Sequence, residues 1–387
     1  MKFNNYLRIV LAAAMIFLLI AGFNNQQAMA IDIGGELNLN AGLNYSAEGD
    51  LSSSFGGRAE LEFYMPGGAG VEPRIVIQGT LRDDGNANFN FKYLYLRRRI
   101  ESGHLTLGRQ PVPWSYGAVI NPYDYGFGIE GLAGETLSPG FDGARYFQSL
   151  RAGRSLQAVI NWSEFTTDIV KLGFGGRIRL PGQGYDLSFN LASHEISYLA
   201  ISNGEPVLIE DRLTRAGVTY SGDVNELGVY GAAGYYHLND SSLDDWVIQL
   251  GFDYSWLTGE FADRQVMLQG EYLRFIQNDL DMTSLLGLAM AGQTFEFDGG
   301  MPANGMAGGE IFSASDLFVL NISIGLDSFT NIGLALLGET ENRNILAAPY
   351  YVSDLGGGLE LRLDGNIGLD SDNEIKTGIS VGMTYYF

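Results

Sequence analysis

Residues 246–256 read Trp-Val-Ile-Gln-Leu-Gly-Phe-Asp-Tyr-Ser-Trp. Trp246, Ile248, Leu250, Phe252, Tyr254 and Trp256 share one side of an extended chain, and Val247, Gln249, Gly251, Asp253 and Ser255 share the other. Side chains alternate faces along a strand, so this period of two marks a strand with one apolar and one wet face. Ten residues at roughly 3.3 Å each, tilted by about 40°, rise about 25 Å. That is the height of the lipid-facing band of a membrane barrel, which aromatic girdles bound above and below. A tryptophan at each end of the apolar row fits that spacing.

The pattern recurs outward from this stretch in both directions. Leu37, Leu39, Ala41, Leu43 and Tyr45 oppose Glu36, Asn38, Asn40 and Asn44. Phe55, Ala59, Leu61 and Phe63 oppose Arg58, Glu60 and Glu62, and Ile75, Ile77 and Leu81 oppose Arg74, Gln78 and Arg82. Phe174, Ile178 and Leu180 oppose Lys171, Arg177 and Arg179, and the final row runs Ile379, Val381, Met383, Tyr385 and Phe387. Over 89–100 the faces are ambiguous, because Tyr93-Leu94-Tyr95-Leu96 is apolar throughout. Water-soluble sheets hide their apolar faces against each other, whereas so many one-faced strands predict an all-β transmembrane antiparallel up-and-down barrel with a polar lumen. Seventeen segments can be counted, and bacterial single-chain barrels have even numbers. The expectation is 16–18 strands with 18 favoured, the missing one most expected within 277–314.

Residues 1–30 form a separate unit. Lys2 and Arg8 precede an apolar run from Ile9 to Phe23, and Ala28-Met29-Ala30 is an A-x-A cleavage site, so a signal peptide is expected. The apolar run is short for a transmembrane helix. The remaining 31–387 is expected to be a single outer-membrane barrel domain with long loops at 111–141 and 277–314; Thr283–Ala291 in the second has a helical pattern. Without Lys2 and Arg8 the chain keeps 21 basic against 45 acidic residues. So acidic a protein is a poor partner for nucleic acid. There are no cysteines, hence no disulfide framework. The acidic runs Asp240–Asp245, Asn278–Asp281 and Asp370–Glu374 lack the spacing of a calcium loop. No metal and no cofactor is expected.

The ending Tyr385-Tyr386-Phe387 resembles the C-terminal signal of bacterial outer-membrane proteins, which implies that Tyr385 and Phe387 are read by the barrel-assembly machinery. A second resemblance covers about 40 residues. Leu107-Gly108-Arg109-Gln110, Asn121-Pro122-Tyr123-Asp124 and Phe141-Asp142-Gly143-Ala144-Arg145 resemble alginate-export-type porins, as, more weakly, does Tyr350–Leu361. That resemblance implies an 18-stranded monomeric barrel with an Arg-lined path for an acidic polysaccharide. The chain departs from it in its lumen. Arg58, Arg74, Arg82, Lys171, Arg177, Arg179, Arg215 and Arg362 are expected to face the lumen, and so are Glu36, Glu60, Glu62, Asp186, Glu226, Asp253, Glu271 and Glu360, eight against eight.

The function expected is therefore a porin, a water-filled channel for passive diffusion of small polar solutes, among them sugars or acidic saccharides. Its partners are outer-membrane lipid, the assembly machinery and those solutes, as a monomer or trimer. Loop 111–141 is too long for a hairpin turn and is the expected constriction. Trp114, Tyr116, Tyr123, Tyr125 and Phe127 are candidates for a ledge on which a sugar ring slides, and their alternative is packing on the barrel wall. Arg109, Asp124 and Arg145 are candidates to grip hydroxyls or carboxylates, with Arg58, Arg74 and Arg177 along the path. Two other classes stand beside this one: a structural or receptor barrel, and an outer-membrane hydrolase. A receptor with a plug domain is disfavoured, because strands are expected to begin directly at residue 33. A hydrolase needs a base, and His194 beside Glu195 and His237 near Asp240 are the histidines with acidic neighbours. No serine stands in a nucleophile setting, so catalysis is not expected.

Overall fold

A strand in lipid finds no water for its N–H and C=O groups, so each must pair with a neighbouring strand and the sheet must close on itself. The computed structural model shows such closure. It describes residues 32–45, 51–65, 70–81, 87–117, 120–125, 128–129, 140–162, 172–202, 205–239, 243–259, 264–277, 315–340, 343–369 and 375–387. The expected signal peptide and nearly all of 277–314, with its helical stretch, lie outside these residues, as do Arg82, Phe127 and Lys171.

The chain order is β1 (Asp32–Tyr45), β2 (Leu51–Tyr64), β3 (Val71–Leu81), β4 (Ala87–Ile100), β5 (Gly103–Gln110), β6 (Ile120–Asn121), β7 (Gly128–Ile129), β8 (Phe141–Ser149), β9 (Ser155–Trp162) and β10 (Leu172–Pro181). It continues with β11 (Tyr185–Ser202), β12 (Glu205–Val224), β13 (Leu227–Leu238), β14 (Leu243–Thr258), β15 (Arg264–Phe275), β16 (Asp316–Gly325), β17 (Thr330–Gly338), β18 (Ile345–Gly356), β19 (Leu359–Leu369) and β20 (Ile375–Tyr386). Eighteen of these form one antiparallel sheet, each beside its neighbour in sequence, and β1 pairs with β20 to close it. The short β6–β7 hairpin is separate and belongs to the connection between β5 and β8. Tight turns lie at the end that carries Asp32 and Phe387, and the long connections lie at the other. Outer-membrane barrels place such turns toward the periplasm and such loops outside.

The favoured count of 18 holds, but the unrecognised strands lie elsewhere than expected. The eighteen strands among the described residues close the sheet by themselves. Leu355–Leu363, whose alternation predicts one strand, is divided between β18 and β19, which fold back at Gly356, Gly357 and Gly358, all with positive φ. Only glycine adopts three such conformations in a row without steric cost. Phe141–Ser149, which begins on the last residue of the expected 111–141 loop, is strand β8.

Trp246 and Leu250 are 51% and 61% exposed, whereas Val247 and Gln249 are buried, so the apolar row of β14 faces outward. Trp246 packs on Tyr235 at one end of that row, and Trp256 packs on Tyr254 at the other. The ambiguity of β4 is settled by a bulge. Val76 pairs with Tyr93 and Ile77 with Phe91, which leaves Lys92 as an extra residue. One inserted residue reverses the alternation. Phe89 and Phe91 therefore face lipid, yet Tyr93 and Tyr95 turn inward and are 7% exposed.

The inner surface is not polar throughout. Val247, Leu273, Leu317 and Leu337 lie on the inward rows of β14–β17 and are buried. Buried apolar side chains inside a barrel mean that protein rather than water fills that sector.

Candidate functional site

Between β5 and β8 the chain turns into the barrel and lies on the inner faces of β9–β14. Trp114, Tyr123 and Tyr125 are its anchors, each at most 1% exposed. Small residues on the wall make room for them. A methyl group added at Gly175 would lie 2.6 Å from the Tyr125 ring and 2.8 Å from Trp114. At Gly217 and Gly234 it would lie 2.4 Å and 2.7 Å from Tyr123. Contacts that short are forbidden, so the loop sits in a trough that exists because those positions have no side chain. Each anchor also satisfies its polar atom. Trp114 Nε1 donates to Gln157 at 2.9 Å, the Tyr125 hydroxyl to Asn161 at 2.5 Å, and the Tyr123 hydroxyl to the Val247 carbonyl at 2.7 Å. Burial of each aromatic contributes roughly 2–3 kcal/mol to docking.

Arginines complete the attachment. Arg215 is 2% exposed, and its guanidinium donates to three successive carbonyls, those of Pro122 (2.6 Å), Tyr123 (3.3 Å) and Asp124. The Tyr236 hydroxyl donates to the same Pro122 carbonyl, and its ring lies under the Arg215 guanidinium. Arg177 donates to the Tyr116 hydroxyl (2.7 Å) and to Ser188 (2.8 Å), and Arg145 to the Pro111 carbonyl (3.1 Å). Charge-assisted bonds of this kind are about twice as strong as neutral ones.

Asp124 organises the loop itself. Its carboxylate accepts the backbone N–H groups of Trp114 (2.5 Å) and Ser115 (2.6 Å), while Ser115 Oγ accepts the Tyr123 N–H (2.9 Å). Burial raises the Asp124 carboxyl above the usual carboxylate range, and the two N–H groups and the nearby Arg215 oppose the shift.

These positions correct the sequence reading in several places. Trp114, Tyr123 and Tyr125 are wall anchors buried from solvent, so they form no ledge for a sugar; Tyr116 is half-buried beneath Arg177. Asp124 grips backbone rather than solute. Arg109 shares the face of Leu105 and Leu107, which places it with Asp142 (3.6 Å) on the outer row rather than in the path. Arg58 faces inward against Glu36 at 2.5 Å, and Arg74 against Glu62 at 2.7 Å. His194 is buried against the Tyr125 ring, 4.8 Å between centroids, where it packs beneath the loop and offers no base to a solute. Sequence reading missed Arg215 as the central clamp, together with Tyr236, Gln157 and Asn161. The signal was present in the inward glycines of β10, β12 and β13, since glycine within a strand marks a close approach.

No family model and no curated protein matches this chain. Among solved structures it is similar to Pseudomonas aeruginosa OccK2 (OpdF), determined in complex with glucuronate, at 12% identity over 92% of this chain and 98% of that one, with a TM-score of 0.52. It is similar to Pseudomonas aeruginosa OpdK with vanillate at 12% identity, 92% and 98% coverage and a TM-score of 0.51. The corresponding values for OccAB4 of Acinetobacter baumannii are 10%, 94%, 100% and 0.51. At such identities the likeness establishes the fold alone, a closed 18-stranded antiparallel barrel.

Proposed function

We propose that this chain is an outer-membrane porin, a water-filled channel through which small polar solutes diffuse down their gradients. The observation that carries the reading is the 111–140 connection, clamped inside a closed 18-stranded barrel by Arg215, Arg177 and Arg145. A barrel of this size leaves a lumen unless something narrows it, and a loop fixed to the inner wall is a constriction. Sugar acids are the first solutes to test, because inward arginines suit carboxylates and the alginate-export resemblance points to acidic saccharides. Inward charges nevertheless stand largely in pairs, among them Arg58–Glu36, Lys92–Glu60 and Arg362–Asp364. Ion selectivity should therefore be weak.

Single-channel recording in a planar bilayer tests the reading. The intact chain should give discrete steps and a small reversal potential under a salt gradient. Removal of most of 111–140 should raise conductance markedly and change the reversal potential little. A folded barrel that conducts nothing in either form would end the porin reading.

A further inference from the structure

The inner wall at the turn end holds a second polar feature. A recess of about 620 Å³ opens there between the first turns of the wall, lined chiefly by Asp32, Glu62, Glu72, Arg74, Tyr95 and Arg97. Its volume lies within the range of small-molecule pockets. Its position follows from the register: Tyr64 pairs with Asp32 and Arg74, and Arg74 pairs with Tyr95. The bulge at Lys92 is what turns Tyr95 and Arg97 inward, so without it the recess would lose one wall.

Its charges are of both signs and are held in place. The Arg74 guanidinium lies over the Tyr93 ring at 5.4 Å, and that of Arg97 over Tyr95 at 5.6 Å. A cation within about 6 Å of a ring face is held there by the ring quadrupole. Arg74 Nε reaches Glu62 at 2.7 Å, and Arg99 reaches Glu72 at 2.6 Å. Arg97 stands off from Glu72 at 4.0 Å, and both side chains are about one-third exposed. A guanidinium carries five donors and a carboxylate about four acceptor sites, so each of these groups retains capacity toward the recess.

We propose that this recess is a binding site for zwitterions of amino-acid to dipeptide size. A ligand carboxylate would sit between Arg74 and Arg97, and its ammonium on Glu62 or Glu72. A simple anion meets the carboxylates of Asp32, Glu62 and Glu72, and a simple cation meets the guanidiniums of Arg74 and Arg97, so each meets a like charge that a zwitterion can turn away from. The site rests on the porin reading, which makes it a station at the turn-end exit of the channel.

The test uses calorimetric titration of the folded full chain in detergent with L-alanyl-L-alanine. Controls are its N-acetyl derivative, an anion, its amide, a cation, and glucose. The zwitterion should bind about tenfold more tightly than either derivative, one charge-assisted contact being worth on the order of 1.4 kcal/mol or more. Arg97→Gln should weaken the zwitterion and the N-acetyl compound, and Glu72→Gln the zwitterion and the amide, both in barrels that keep heat-modifiable migration. Equal affinity for all three peptides, or tighter binding of glucose, overturns the site. Conductance without peptide binding refutes the site and leaves the channel, whereas binding without conductance keeps the site and refutes the channel.

Discussion

Arg215 and Asp124 are 91 residues apart in sequence, yet the guanidinium of the first donates to the backbone carbonyl of the second inside the barrel. That bond, with those to Pro122 and Tyr123, joins β12 to a loop from the other side of β9. The position of the loop inside the barrel is thus set by an arginine buried behind it.

Arg215→Ala should free the loop without unfolding the wall. Three carbonyl contacts disappear and the Tyr236 ring loses its cover, a loss of about 2–4 kcal/mol in loop docking. Larger and noisier single-channel currents are expected, with the folded band on a heat-modifiability gel retained. Currents as quiet as those of the native chain would show that the clamp is dispensable.

Gly217→Val should displace the loop from the other direction, by filling the trough. Even the first carbon of the new side chain would lie 2.4 Å from Tyr123, so the ring must leave. The expected phenotype matches that of Arg215→Ala, and the double variant should add little, because both substitutions act on one contact. Clearly additive conductance changes would separate the two mechanisms.

Docking of the loop should strengthen in acid. The Asp124 pKa is raised chiefly by burial. A group with a raised pKa in the docked state adds stability that is present below its free-loop pKa and is lost as pH rises through the docked value. Loop-opening events should therefore become rarer as the pH is lowered from about 7 to about 4. Asp124→Asn keeps a carbonyl for the Trp114 and Ser115 N–H groups and removes the charge, so its opening should be nearly independent of pH. A variant that keeps the native pH profile would assign the titration to another group.

Trp246 and Trp256 should both report the edges of the membrane. Each faces outward and packs on a tyrosine at opposite ends of one apolar row. Lipids brominated near the bilayer centre should quench both weakly, and lipids brominated near the headgroup should quench both strongly. Strong quenching of either from the centre would misplace the barrel.

The alternation of apolar and polar side chains determined the architecture before any contact was known. A period of two admits one lipid face per strand, and lipid admits no open edge, so Trp246–Trp256 and its repeats already imply a closed barrel. What alternation cannot register is a change of phase. The bulge at Lys92 and the glycine turn at 356–358 hid one face and one strand boundary, because both depend on backbone geometry that leaves a weak mark on hydropathy. Aromatics of the 111–140 loop were legible as important, but their direction was not. Whether Trp114 and Tyr123 meet a solute or the wall depends on which small residues lie opposite, and those residues, Gly175, Gly217 and Gly234, come from strands distant in sequence. Only the tertiary structure brings them together, since close packing is a property of two surfaces at once and either sequence alone describes one of them.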